Sequence, residues 1–180
     1  MLRLRLRQMF LMVISSVYSE RGRNILRIAL SVFFILSLFI EVSTQLGRLF
    51  FFGWKLSPSI SGHLFLVIRG APWQRGDLVA FVAPKTRYGE GVSWWMKYAM
   101  GIPGDKIVVR GNKIWVHGYY CGVMQDKAYD GKKLSWQKSM VIPPGFVFVW
   151  GTHRRSFDSR YQQVGLINET SILGRGTLVF

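Results

Sequence analysis

Hydrophobic and polar positions along this chain follow two different periods. Residues 25–46 are almost continuously apolar (Ile28, Ala29, Leu30, Val32, Phe33, Phe34, Ile35, Leu36 and onward). This run predicts about 20 residues of helix, roughly one bilayer thickness. After residue 48 the pattern changes to short alternating runs punctuated by Gly and Pro. These predict strands over residues 64–68, 78–82, 106–110, 113–117, 145–150 and 177–180. Gly111-Asn112 predicts a two-residue hairpin turn between two of them. Residues 84–92 and 151–160 read as polar loops. Residues 118–139 have no clear period and read as an irregular insertion. With no long helix expected after residue 48, the pattern predicts a mostly β, antiparallel domain behind one N-terminal transmembrane helix.

The N-terminus alternates Leu and Arg (Leu2-Arg3-Leu4-Arg5-Leu6-Arg7). The apolar piece at residues 9–17 is too short to span a bilayer and predicts an interfacial amphipathic segment. Arg21, Arg23 and Arg27 precede the long apolar run, and few charges follow it until Arg48. The positive-inside rule then puts the N-terminus in the cytoplasm and the rest across the membrane. The expected organisation is a cytoplasmic basic segment (1–24), a transmembrane anchor (25–46) and an extracytoplasmic domain (47–180). An uncleaved anchor fits better than a removed signal, because Glu41-Val42-Ser43-Thr44-Gln45 holds no small-x-small site. A buried core helix is the alternative. Residues 49–54 (Leu-Phe-Phe-Phe-Gly-Trp) suit either the headgroup level or a buried strand.

Charge adds one ambiguity. The chain carries 24 Lys+Arg against 9 Asp+Glu, net +15, which is compatible with nucleic acid, an anionic membrane or acidic substrates. The basic residues are scattered among aromatics and glycines rather than massed on one helix, which weakens the nucleic-acid reading. Cys121 is the only cysteine, so no intramolecular disulfide is possible and redox compartment is not indicated. Three separated histidines and one cysteine lack metal-ligand spacing, and no phosphate-binding loop is present. No cofactor is expected.

Candidate chemistry centres on Lys97. It is a single amine inside an apolar strand, Trp94-Trp95-Met96-Lys97, just before the turn at Pro103-Gly104. Burial disfavours the charged form of lysine, and a neutral lysine can serve as base for a serine nucleophile. A lysine that snorkels to water from a strand edge is the competing reading. Ser57, Ser59 and Ser61 alternate in a small-residue turn, whose ordinary reading is a plain loop. A Ser59–His153–Asp158 triad is a further possibility, set against the ordinary reading of His153 as a solvated loop residue.

Taken in order, four motifs carry a resemblance. They are Ser57-Pro58-Ser59; Arg75-Gly76-Asp77 before a strand; Lys97 with Gly101-Ile102-Pro103-Gly104-Asp105; and Gly151 with Ser156-Phe157-Asp158-Ser159-Arg160-Tyr161. Over residues 56–180, behind one apolar span, the chain resembles the type I signal peptidases, membrane-anchored Ser/Lys proteases. That resemblance implies Ser59 as nucleophile and Lys97 as general base. Ser57 would help bind the oxyanion, Ser156 would orient the lysine amine, and Asp158 and Arg160 would brace the site. Ser–Lys sites are a known variant of triad chemistry.

Departures from the family pattern are Ile60, Tyr98 and the Gly151-Thr152-His153-Arg154-Arg155 loop. The short domain and residues 59–65 are closer to the conjugation-associated, pilin-processing branch, although Ser61 and His63 replace its Pro and Gly. The resemblance implies a serine endopeptidase of the inner membrane that cleaves signal peptides from exported precursors, a conjugative pilin being one case. Its partners would be such precursors and the lipid bilayer, with no nucleic acid. A non-catalytic membrane-anchored assembly factor with the same fold is the alternative. Transpeptidation would use the same residues as hydrolysis.

Overall fold

The computed structural model describes residues 5, 8, 9, 12, 19–54 and 58–180. The expected interfacial segment at residues 9–17 lies largely outside these, and Ser57 lies outside them altogether. The described chain divides into two compact units, residues 1–48 and 49–180.

The first unit is dominated by helix α1, Glu20–Leu49. Ser19 opens it, its hydroxyl accepting from the Gly22 N–H at 3.0 Å, as an N-cap residue does. At 30 residues it is about 45 Å long. It has no buried residue, and Ile28, Leu30, Phe33, Phe34, Phe39 and Ile40 are all exposed. A helix apolar all round is stable only in an apolar surrounding. Among the described residues it is the one helix long and apolar enough to cross a membrane.

The second unit is built from antiparallel strands. In chain order they are β1 Phe50–Trp54, β2 Leu64–Arg69, β3 Leu78–Val82, β4 Trp94–Gly101, β5 Lys106–Arg110, β6 Lys113–Val116, β7 Tyr119–Val123, β8 Met140–Val141, β9 Phe146–Trp150, β10 Ile167–Asn168 and β11 Ile172–Leu178. A seven-stranded sheet runs β1-β2-β11-β3-β4-β9-β10, and a four-stranded sheet runs β7-β6-β5-β8.

Alternation divides β3 between two cores. Leu78 and Ala80 join Ile60, Phe65, Val67 and Met96 on one side, while Val79 and Phe81 join Ala99, Val147 and Val149 on the other, as a strand period of two requires. A third core, with Ile107, Ile114, Val116, Ile142 and Phe148, joins the four-stranded sheet to β9. Gly101 sits between the two sheets, where a Cβ would lie 2.6 Å from the Val116 side chain and 3.1 Å from that of Phe148.

Two of the sequence motifs meet at Asp105. Arg75 donates to its carboxylate in a bidentate arrangement, Nη2 to Oδ1 at 2.7 Å and Nε to Oδ2 at 3.2 Å. The Ile102 N–H donates to Oδ2 at 2.8 Å, and His117 Nδ1 lies 2.8 Å from Oδ1. Backbone bonds from Gly76 N–H to Ala99 O and from Ala99 N–H to Asp77 O, both 2.8 Å, secure the same corner. The Arg-Gly-Asp turn and the Pro-Gly turn together hold the exit of β4.

Two expectations need correction. Residues 118–139 are irregular only from residue 124: Tyr119–Val123 is strand β7, paired with β6 through a tight turn with His117 at φ 48° and Gly118 at φ 82°. A histidine in the left-handed region is the reason that turn is hard to read. The last strand begins at Ile172 rather than at residue 177, with an irregularity between Ile172 and Gly174 that obscures the alternation. Trp94 and Trp95, at the start of β4, are half-buried. Trp94 meets Phe51 edge-on at 5.0 Å, leaving Phe52 and Trp54 as the exposed members of the aromatic group.

Candidate active site

Strand β4 places Lys97 opposite Val79 of β3, with 5% of the residue exposed. Its Nζ donates to Ser156 Oγ at 3.0 Å. Burial lowers the amine's pKa from the ordinary 10.5 to about 8; the Asp158 carboxylate opposes the fall and Arg160 adds to it. The snorkelling alternative does not describe this lysine, whose head is inside.

Ser156 belongs to the loop between β9 and β10. The loop is polar in sequence, yet Ser156, Asp158, Ser159 and Arg160 are 0–2% exposed. Asp158 and Arg160 make this possible. Arg160 Nε donates to Asp158 Oδ1 and Nη2 to Oδ2, each at 2.8 Å. Nη2 also donates to the carbonyls of His153 and Ser156, both at 3.1 Å, and of Gly151 at 3.3 Å. The Gly151 N–H donates to Asp158 Oδ2 at 2.9 Å. A buried ion pair of this kind persists because each remaining donor and acceptor finds a partner. The pair pins the loop that presents Ser156 to Lys97.

Ser59 is buried in the turn before β2. Its carbonyl accepts from the His153 N–H at 3.4 Å and from Thr152 Oγ1 at 3.5 Å. Gly151 lies where the Ser59 turn and Ser156 converge. A Cβ there would collide with Ser156 Oγ and lie 2.7 Å from Ser59 O. Sequence reading noted Gly151 only as part of a motif. Its role is to leave space, and a glycine that opens a polar loop was the available signal.

Ser59 and Lys97 both line one cleft of about 410 Å³. Its walls are largely apolar, including Ile60, Phe65, Trp94, Trp95, Met96 and Phe157. The structure therefore brings together Ser59, Lys97, Ser156, Asp158 and Arg160. It does not assemble the Ser-His-Asp alternative: Asp158 is occupied by Arg160 and Gly151, and His153 Nδ1 accepts from the Arg155 N–H at 3.2 Å. Among the described residues no three of His, Cys, Asp and Glu form a metal site. Chemically, the cleft offers a serine hydroxyl and a buried amine between largely apolar walls, the ingredients of base-assisted nucleophilic attack.

Known proteins resemble this chain over most of its length. Signal peptidase I U of Bacillus subtilis (strain 168) is 26% identical over 166 residues, covering 85% of this chain and 86% of its own. The conjugal transfer protein TraF of Agrobacterium fabrum is 27% identical over 126 residues, covering 61% of this chain and 70% of its own. The crystal structure of a signal peptidase I from Enterococcus faecalis V583 covers 58% of this chain and 96% of its own, at 23% identity and a TM-score of 0.39. The model of the family "Signal peptidase, peptidase S26" matches residues 23–180, and the chain belongs to that family.

Proposed function

We propose that the protein is a membrane-bound serine endopeptidase with Ser59 as nucleophile and Lys97 as general base. The observation that carries this reading is the buried amine of Lys97, held by Ser156 in the same cleft as Ser59. Ser59 Oγ attacks the carbonyl carbon of the scissile peptide, and its proton passes to the neutral Lys97 amine. The Ser59 N–H and the Ser57 hydroxyl donate to the oxyanion, each worth on the order of 3 kcal/mol. Collapse of the intermediate expels the amine of the downstream segment, which takes the proton from Lys97. Water, deprotonated by the same lysine, then releases the acyl group. With a pKa of about 8, about one tenth of the lysine is neutral at pH 7. The rate constant for cleavage therefore rises with pH and levels off above the lysine's pKa.

The substrates in this reading are precursors with signal peptides, cut just beyond their own apolar helices. The likeness to a conjugal transfer protein supports a pilin precursor as one such substrate. Helix α1 anchors the domain in the inner membrane, with residues 1–24 cytoplasmic, 25–46 spanning and 47–180 outside. The exposed rings of Phe52 and Trp54 rest on the lipid surface, where aromatic side chains are favoured.

The test is mass spectrometry of precursors incubated in detergent with wild-type, Ser59→Ala and Lys97→Ala protein. Each variant is expected to lose at least about 10³-fold in rate. Undiminished cleavage by either variant overturns the assignment.

A further inference from the structure

The walls of the cleft are apolar, but its charged lining is all of one sign. Lys127 and Arg155 line it together with Lys97, and no Asp or Glu does among the described residues. Arg155 Cζ lies over the Tyr129 ring, 4.0 Å from its centroid, a cation–π contact. A guanidinium held over a ring can still offer N–H groups to a planar acceptor. Neither Lys127 nor Arg155 pairs with a carboxylate among the described residues.

The carboxylates close by in sequence do not neutralise this rim. Asp130 is engaged by Arg87 and accepts from Tyr88 Oη at 2.9 Å. Asp158 is held inside by Arg160, and Asp126 is not part of the lining. Cations left without counter-charge beside low-dielectric walls focus a positive potential on whatever enters.

We propose that this rim selects precursor segments that carry an Asp or Glu near the scissile bond, with Lys127 and Arg155 as the specificity-determining residues. The inference rests on the peptidase reading above. Position along the substrate follows from the loop that carries Arg155. The His153 N–H is 3.4 Å from the Ser59 carbonyl, and Arg155 is two residues further on. An extended chain advances about 3.3–3.6 Å per residue, so the acidic residue falls within about three positions of the cleavage point.

The experiment measures binding of labelled peptides to the full-length Ser59→Ala variant in detergent micelles. The peptides are matched precursor segments with a single Glu or Lys scanned over about three positions on either side of the scissile bond. At the best position the Glu peptide is expected to bind on the order of tenfold more tightly than the Lys peptide at low salt. The gap should narrow as salt screens the rim. Adding Lys127→Glu and Arg155→Glu should reverse the preference, and Lys127→Ala with Arg155→Ala should abolish it, which covers the case where charge reversal harms folding. Equal affinities at every scanned position, or a preference unchanged in both double variants, overturns the proposal. Binding requires no turnover. If Ser59→Ala still cleaves precursors, the peptidase reading falls while the affinity comparison still decides this one.

Discussion

Two aspartate–arginine pairs adjoin, in sequence, residues that line the cleft, and they illustrate how differently one chemistry behaves in two settings. Asp158 and Arg160 are 0% and 1% exposed and share two bonds of 2.8 Å. Asp130 and Arg87 are also in direct contact, at 34% and 41% exposure, and tie the segment after β7 to the loop after β3. In the first pair, burial removes water as an alternative partner, so losing one member strands the other charge. In the second, water replaces whichever partner leaves. The buried pair also acts at a distance, since it pins the loop whose Ser156 meets Lys97. The exposed pair secures only the rim.

The largest expected effect is at the buried pair. Asp158→Asn leaves Arg160 without its full counter-charge and should cost about 3–5 kcal/mol in denaturant unfolding. Precursor cleavage should fall with it. Unfolding midpoints that match wild type would remove the distinction between the two pairs.

Lys97 tests the same physics with opposite sign. Lowering its pKa from 10.5 to about 8 corresponds to roughly 3 kcal/mol of instability while both folded and unfolded lysines are charged. Lys97→Met should therefore stabilise the fold by up to about 3 kcal/mol at pH 7 while abolishing cleavage. In wild type, stability should rise as pH climbs from about 8 towards 10.5, because the unfolded lysine still holds a proton that the folded one has shed. The Met variant should lack that rise, and urea titrations across this pH range check both points.

A smaller effect is expected from Gly151→Ala. The added methyl meets Ser156 Oγ and Ser59 O, and overpacking of this kind costs about 1–3 kcal/mol. Cleavage should drop more than stability, because the displaced atoms are those of the site. Asp130→Asn is the smallest. Its unfolding midpoint should be indistinguishable from wild type, in contrast to Asp158→Asn under identical conditions.

Much of this arrangement was legible in the chain because its signals are local. An unbroken apolar run predicts a helix whose surroundings must be apolar, and α1 has that composition. An apolar strand interrupted by one lysine, just before Pro103-Gly104, left a buried amine and a snorkelling one both open, and β4 holds the buried one. From its own residues the loop from Gly151 to Arg160 was legible only as a polar loop, and the roles of Ser156, Asp158 and Arg160 came from the family resemblance. Its burial depends on Asp158 and Arg160 saturating each other and on carbonyls brought within reach by folding. The irregular residues after β7 were illegible as a cleft wall because they pack singly: Met124 and Leu134 are buried with no period between them.

By itself, then, the order of residues determined the long apolar run, most of the strand periods and the net positive charge, and its ordered motifs named Ser59 and Lys97 through the family resemblance. Tertiary structure alone decided that the polar loop would be dry, that Gly151 would be the space between two serines, and that Arg155 would lie on Tyr129 beside unneutralised Lys127. Those outcomes depend on groups tens of residues apart, and only closure of the sheets removes the water that would otherwise satisfy them.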